Sequence, residues 1–194
     1  MKKLTVKEAY ALLTDGLEEP LKIQYVTHCL HVGDLAALIA DGLGLDAEYA
    51  QTLGYLHDVG RRIDPANHAY AGYVFLKEKG LDDYAAICLT HSFLNNDVGC
   101  TCGVPLPEDC LGYGTIKSFV ETHTNTDYDR IIQTCDLLCT SDGAVPLNER
   151  LRDIESRKGR HAGSDRHRAA AQAQLRAFEE RLGHPVSDFY GKIR

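Results

Sequence analysis

Apolar residues recur at spacings of three and four along almost the whole chain, and the alternating patterns typical of strands are scarce. This periodicity predicts an all-α protein, a compact helical bundle. The stretch 94–114 interrupts the pattern with Gly, Pro, Asn and three cysteines, and is predicted to form a long loop. We expect helices at about 5–15, 21–42, 47–59, 65–79, 82–93, 115–122, 127–141, a short one after Pro146, and 165–182.

Several helix starts carry sequence signatures. Thr5 is expected to open the first helix, and Asp46 to cap the third. Asp64 followed by Pro65 predicts a cap and the first position of the fourth helix. Since 194 residues are enough for one sizeable core and no domain boundary is evident, we expect a single domain over 1–194.

The charge is distributed unevenly. The chain has a net charge of −7; residues 1–146 hold 10 Lys and Arg against 21 Asp and Glu, whereas residues 147–170 hold seven against four. An acidic body disfavours binding to long nucleic acids and suits a protein that holds cations. No apolar run approaches the roughly 20 residues that cross a bilayer. The start of the chain lacks a signal-peptide core, so we expect a cytoplasmic protein with reduced cysteines.

Four of the nine histidines fall on predicted inward helix faces, and the first two lie in the second and third helices. In the second helix, His28 belongs to a core-facing stripe spaced three and four residues apart. In the third, His57 follows Leu53 by four residues and so faces inward, and Asp58 lies about 100° further round the helix. One ion near this helix end could therefore touch both His57 and Asp58.

Three further inward groups lie on later helices. His68 shares a face with Gly72, His91 shares one with Cys88, and Asp136 lies on an apolar edge. A single inward histidine is more often a hydrogen-bonded core residue than a ligand, and an inward aspartate is more often ion-paired. Six such groups on five helices would leave many buried polar atoms to satisfy, and a metal centre would satisfy them together. Imidazole with carboxylate suits Fe, Mn, Co, Ni or Zn better than Ca or Mg.

Two segments carry a resemblance to a known family. They are His28-Cys-Leu-His-Val-Gly-Asp-Leu-Ala and Ala50-Gln-Thr-Leu-Gly-Tyr-Leu-His57-Asp58-Val-Gly-Arg61. Together with the distant Asp136, they resemble the HD superfamily of metal-dependent phosphohydrolases. That resemblance implies an HD-type helical bundle with a metal-site core at about 20–141 and a C-terminal basic loop and helix at 147–194.

The resemblance also implies a ligand set. His28, His57, Asp58 and Asp136 match the family pattern in order, and His68 and His91 stand where some subfamilies place two more ligands. This fuller pattern is similar to that of the bacterial HD-domain symmetrical diadenosine tetraphosphate hydrolases. The segment between His91 and Asp136 is longer here, and the residues after Asp136 do not carry that family's continuation. We therefore expect two divalent ions, preferably iron or manganese, with Asp58 bridging them and a metal-activated hydroxide as nucleophile.

Other residues are weighed against plainer roles. Arg61 and Arg62 could bind a phosphate or be solvated arginines at a helix end, and His31 could reach the substrate or lie exposed. His123 could lie near the site or cap a helix. The basic stretch 157–168 could close over nucleotide phosphates or be a solvated loop. A small zinc site is an alternative for Cys100, Cys102 and Cys110, and a surface position is expected for His161, His167 and His184.

The sequence thus predicts a metal-dependent phosphohydrolase acting on a small phosphorylated molecule, with a nucleotide preferred. Asp58 and Arg61 are its predicted catalytic residues, and Arg61, Arg62 and His31 its predicted substrate-binding residues. A symmetrical dinucleoside polyphosphate hydrolase is the more specific alternative. A non-catalytic metal or nucleotide sensor is the alternative of another class.

Overall fold

The computed structural model describes residues 3–193 and confirms the all-helical prediction. The α-helices, in chain order, are α1 (Val6–Thr14), α2 (Gln24–Gly42), α3 (Ala47–Leu56), α4 (His68–Glu78), α5 (Asp82–Thr90), α6 (Tyr113–Thr122), α7 (Asp127–Leu138), α8 (Leu147–Lys158) and α9 (Ser164–Leu182). Short 3₁₀ helices lie at Pro20–Lys22, Val59–Arg62, Leu94–Asn96 and Val186–Lys192. Strands β1 (Cys139–Thr140) and β2 (Gly143–Ala144) pair antiparallel after α7.

Side-chain caps fix several helix starts. The Thr5 hydroxyl and the Glu8 carboxylate form a reciprocal capping box at α1, and Thr126 and Asp129 form another at α7. Asp46 accepts a hydrogen bond from the backbone N–H of Tyr49, as expected for the cap of α3. These caps satisfy backbone donors that a helix start otherwise leaves unpaired.

The expected start of the fourth helix at Asp64 and Pro65 is wrong. Asp64 Oδ1 instead accepts from the backbone N–H groups of Ala66 at 3.0 Å and Asn67 at 3.2 Å, which makes a local turn. The helix therefore begins at His68. The seventh helix also ends earlier than expected, at Leu138, because the chain turns there into the β1–β2 hairpin.

Helix α2 lies at the centre of the core and packs against α3 and α7. Two glycines allow α2 and α3 to touch backbone to backbone: a Cβ added to Gly54 would lie 2.5 Å from Gly33 Cα. Real Cβ atoms do not approach so closely, so the helix spacing depends on both residues lacking side chains. This contact sets the distance between the helices that carry His28 and His57.

A similar contact positions α4. A Cβ added to Gly60 would lie 2.0 Å from the carbonyl oxygen of His68 and 2.4 Å from the backbone nitrogen of Gly72. The first turn of α4 thus packs directly on the 3₁₀ helix that follows Asp58. In the part of the chain that the structure describes, no helix is long and apolar enough to cross a bilayer.

Candidate metal centre

Five helices bring the six predicted ligands to one place. His28 lies near the start of α2, His57 follows α3 as its C-cap, and Asp58 comes next. Asp136 lies in the last turn of α7, while the remaining two occupy helix ends: His68 begins α4 and His91 follows α5. Helix ends suit this role because their side chains can converge from several directions.

The first group of ligand atoms comes from His28, His57 and Asp136. Asp136 Oδ1 lies 3.0 Å from His28 Nε2 and 3.8 Å from His57 Nε2. Each residue offers a ligand atom within 4.8 Å of the others, so one ion could bind all three. His57 is fully buried and His28 nearly so, which removes competing water.

The second group comes from Asp58, His68 and His91. Asp58 Oδ1 lies 3.3 Å from His68 Nε2 and 3.5 Å from His91 Nε2. These ligand atoms also lie within 4.8 Å of one another. The other carboxylate oxygen, Asp58 Oδ2, lies 3.9 Å from His57 Nε2. Asp58 therefore faces the first group with one oxygen and the second group with the other.

Unpartnered polar atoms support metal binding here. Among the described residues, His57 Nε2 and Asp58 Oδ1 are buried without a hydrogen-bond partner, as are the Nδ1 atoms of His28 and His68. A buried polar atom without a partner costs about 1–3 kcal/mol. A cation in the first group would satisfy His57 Nε2, and a cation in the second would satisfy Asp58 Oδ1. The donor set of imidazoles and carboxylates fits a divalent metal.

Backbone carbonyls hold two of the imidazole rings. The Nδ1–H of His57 donates to the carbonyl of Gly54 at 2.6 Å, and that of His91 donates to the carbonyl of Cys88 at 3.0 Å. These hydrogen bonds leave Nε2 of each ring as the free lone pair, which is the atom that faces the carboxylates. The tautomers needed for metal binding are therefore set by the helix ends themselves.

Helix α7 supports the end of α5 from behind. The Gln133 side-chain amide donates to the carbonyl oxygens of Thr90 at 3.0 Å and Phe93 at 3.2 Å. The Thr90 hydroxyl donates to Asp129 at 3.0 Å. Because these residues flank His91, α7 fixes the ring position of His91 as well as supplying Asp136.

The site also sets the protonation of its residues. Burial lowers the pKa of His68 and lowers that of His91 to about 4, so both imidazoles are neutral. Burial would raise the pKa of Asp58, but the neighbouring histidines and Arg61 outweigh it and lower that pKa. Burial would lower the pKa of His57, but the negative charge around it, including Asp58, raises that pKa well above its ordinary value. The centre thus attracts positive charge, whether a proton or a metal ion.

Arg61 lies beside the site. Its Nε donates to Asp58 Oδ2, and its side chain lines the cavity described below. Arg62 points elsewhere, because its guanidinium donates to the carbonyl oxygens of Leu12 at 3.2 Å and Asp15 at 2.8 Å. The structure thus brings Arg61, but not Arg62, to the six predicted ligands.

Two other histidine candidates are also held away from the six ligands. His31 donates through Nδ1 to the carbonyl of Thr140 at 2.9 Å, and His123 Nε2 lies 3.2 Å from Asp129 Oδ1. His161 is half-buried and its Nε2 lies 3.0 Å from the carbonyl oxygen of Thr101, so its expected surface position is only partly realised. His184 lies at the surface, as expected, just before the last 3₁₀ helix. Its Nδ1 lies 2.9 Å from the carbonyl oxygen of Pro185.

The cysteines do not form the alternative zinc site. All seven are free thiols, and within residues 3–193 the ligand groups close enough to hold an ion contain no cysteine. The basic stretch 157–168 is not a solvated loop throughout, because α8 extends to Lys158 and α9 begins at Ser164. Arg160 pairs with Asp165, Arg166 with Asp97 and Arg168 with Glu155.

A cavity of 770 Å³ opens onto the metal centre. Its lining includes His68, His91 and Asp136, and also residues of the long loop and of α8 and α9. A cavity of this size is typical of sites for small molecules. It places the candidate ligands within reach of a bound molecule.

Sequence reasoning missed two residues of this cavity. His167 was expected at the surface but is buried, with 3 % of its surface exposed. The signal was available: the buried residues Ser164, His167, Ala171 and Phe178 share one face of α9 at spacings of three, four and seven. Arg150 was not singled out either; it adjoins the buried Leu151 in α8 and lines the cavity.

Comparison with known proteins agrees with this geometry. The HD domain family model matches residues 25–140, which include all six predicted ligands. One curated relative, ribonuclease Y 2 of Bdellovibrio bacteriovorus, is 41% identical over 56 residues; the match spans 27% of this chain and 11% of that relative. No solved structure gives a significant match to the chain. Since the model covers more than half of the sequence and its histidines and aspartates converge in the fold, the chain belongs to the HD domain family, a superfamily of metal-dependent phosphohydrolases.

Proposed function

We propose that this protein is a dinuclear metal-dependent phosphohydrolase that cleaves a phosphoester or phosphoanhydride of a small molecule, preferably a nucleotide. One observation supports this most strongly: Asp58 directs one oxygen to each of two ligand groups at the floor of a 770 Å³ cavity. In this proposal His28, His57 and Asp136 hold one ion, and His68 and His91 hold the other. Asp58 serves both. Iron and manganese suit this ligand set best, with Zn, Co or Ni as further possibilities.

The residues around the ions have separate roles. Two bound divalent ions supply activation of the attacking water and neutralisation of charge on the phosphoryl oxygens. Asp58, held ionised by its neighbours, keeps the two ligand groups together. Arg61 fixes the Asp58 carboxylate through Nε, and its exposed part faces the cavity, where a guanidinium can bind a phosphoryl oxygen.

The cavity lining favours a substrate with an apolar part. Apolar side chains of the loop and its neighbours contribute one portion of the wall, among them Phe93, Leu106 and Ile116. A nucleobase or a similar planar group suits such a surface, because aromatic and aliphatic contacts do not require a specific hydrogen-bond pattern. This supports a nucleotide over a small phosphorylated sugar.

Two finer activities compete within the same class. The ligand pattern suggests a symmetrical dinucleoside polyphosphate hydrolase, and the short match to ribonuclease Y 2 suggests RNA cleavage as the second activity. The volume of the cavity favours a small molecule. A non-catalytic sensor would require binding without turnover.

The test combines metal content with turnover. Purified protein loaded with Mn(II) or Fe(II) is assayed for phosphate release and product formation on p-nitrophenyl phosphate, nucleoside mono-, di- and triphosphates, diadenosine tetraphosphate and a short oligoribonucleotide. We expect two ions per chain and turnover of a nucleotide. The exposed Asp41→Ala variant serves as a matched control for Asp58→Ala. Tight nucleotide binding without hydrolysis of any substrate would contradict the enzyme and favour the sensor.

A further inference from the structure

Helices α8 and α9 contribute a wall to the cavity of the metal centre. Arg150, Arg157 and Lys158 of α8 and His167 of α9 line the same cavity as His68 and Asp136. These four residues lie beyond the residues 25–140 that match the HD domain family. The wall is therefore built by residues outside the part of the chain that matches the family.

The charge of the lining is opposite to that of the protein. The chain carries a net charge of −7. The cavity, by contrast, is lined by four cationic side chains, Arg61, Arg150, Arg157 and Lys158, against two acidic ones, Asp109 and Asp136. Since Asp136 is a proposed metal ligand, an anion in the cavity meets mostly positive charge.

Two of these cationic side chains are less fully paired with acidic groups than Arg157 is. The side chain of Arg150 lines the cavity and is 16% exposed; within residues 3–193 its Nη1 lies 3.3 Å from Asp153, and its buried Nε has no hydrogen-bond partner. Lys158 forms no ion pair within residues 3–193, and its methylene groups lie against Gly103. Arg157, by contrast, is bound through two nitrogens to Asp153. Arg150 and Lys158 are thus the cations available to a ligand.

We propose that Arg150 and Lys158 form a second anion subsite, which binds a phosphoryl group other than the one held at the metal centre. This inference rests on the proposed function for the position of the first phosphoryl group. The proposed subsite narrows the substrate class to small molecules with at least two phosphoryl groups, such as a phosphoanhydride. It disfavours simple monoesters. Charge-assisted hydrogen bonds from a guanidinium and an ammonium are suited to a phosphate oxygen.

The experiment measures binding in the absence of metal and of turnover. Protein stripped with a chelator, which is then removed, is titrated calorimetrically with inorganic tripolyphosphate and, separately, with inorganic phosphate. We expect tripolyphosphate to bind about tenfold more tightly than phosphate, and Arg150→Gln or Lys158→Gln each to weaken its binding about tenfold. Arg152→Gln is the matched control, because Arg152 is exposed on the same helix and does not line the cavity.

Each outcome decides the proposal. Unchanged tripolyphosphate binding in both Arg150→Gln and Lys158→Gln overturns it, as does an equal loss in Arg152→Gln, which would indicate a general charge effect. An oligoribonucleotide that binds more tightly than tripolyphosphate overturns the assignment to small molecules. Lys158 lies at an exposed helix end, so Lys158→Gln reports on the subsite even if Arg150→Gln proves unstable. Because the titration needs no hydrolysis, it can succeed or fail independently of the proposed function.

Discussion

Asp58 directly follows His57 in the chain, yet the two side chains belong to different ligand groups. His57 Nε2 lies 3.8 Å from Asp136 in the first group, and Asp58 Oδ1 lies 3.3 Å from His68 in the second. A distance of 3.9 Å between His57 Nε2 and Asp58 Oδ2 joins the groups. The adjacent pair at the end of α3 thus couples two sites that are otherwise built from separate helices.

Asp58→Ala should have the largest effect of any single substitution in the centre. It removes the one carboxylate that faces both groups and leaves two cations less well neutralised. Loss of a residue that only orients a ligand typically costs 10–100-fold in metal affinity or activity, so we expect a loss of at least about 100-fold here. Metal content and phosphate release are measured on the same sample. Retention of both ions and most of the turnover would falsify the bridging role.

His91→Ala should empty one group and spare the other. His91 contributes only to the group with His68 and Asp58, so His28, His57 and Asp136 keep their positions. We expect metal content to fall from two ions toward one per chain, with reduced but measurable turnover. Loss of both ions would show instead that the two groups bind cooperatively as one unit.

Arg61→Lys should lower activity while leaving metal content intact. Lysine keeps the positive charge beside Asp58 but lacks the planar group that can bind a carboxylate and a phosphoryl oxygen together. If that group stabilises charge in the transition state, the loss in kcat is about 10²–10³-fold. A variant with wild-type kcat would limit Arg61 to orienting Asp58.

Gln133→Leu tests the support behind His91. It leaves the buried carbonyl oxygen of Phe93 without its donor and removes one of two donors from that of Thr90, which should lower the free energy of unfolding by about 1–3 kcal/mol. The ion held by His68 and His91 should also bind more weakly. Urea unfolding and metal titration measure the two effects. Gln172→Leu is the control, since within residues 3–193 the Gln172 side chain bonds only to the surface Asn148, at 3.1 Å.

His167 should make the stability of the metal-free protein fall in acid. Burial lowers the pKa of His167 to about 4, below the ordinary value of 6.5, so between these values the unfolded chain binds a proton that the folded protein does not. The free energy of unfolding therefore decreases as the pH falls from about 6.5 to 4, by up to about 1.4 kcal/mol per pH unit from this group. Chemical unfolding at several pH values should give a shallower dependence for His167→Gln. An identical slope would place the titrating groups elsewhere.

The helical spacing of apolar residues in the sequence predicts much of the site. His28, His57 and Asp136 fall on apolar helix faces, where a polar residue is conspicuous, and the structure brings these three together. Helix starts marked by side-chain caps, such as Thr5 and Asp46, also behave as their sequence predicts. These features are local, so a single sequence contains the information that decides them.

The features that sequence reasoning missed depend on long-range contacts. Arg62 looks equivalent to Arg61 in the chain, but α1 supplies carbonyl oxygens that bind Arg62 away from the cavity. His167 lies in a polar, Arg-rich helix, and it is buried because α9 packs over the cavity wall. The position of Arg62 depends on a segment far away in the sequence, whereas the three-, four- and seven-residue spacing on α9 is a local signal for the burial of His167.

The contact between Gly33 and Gly54 has a consequence for the size of the ion. Because neither Gly33 nor Gly54 has a side chain and their backbones are in contact, a change of rotamer at these two positions cannot alter the spacing of α2 and α3, which carry His28 and lead to His57. We expect the first group to discriminate ions by radius. The second group depends on α4 and α5, whose spacing is not fixed by this glycine contact. The two glycines thus fix the helix spacing on which ion selectivity depends, and we expect an ion of unsuitable radius to bind less tightly to the first group than to the second.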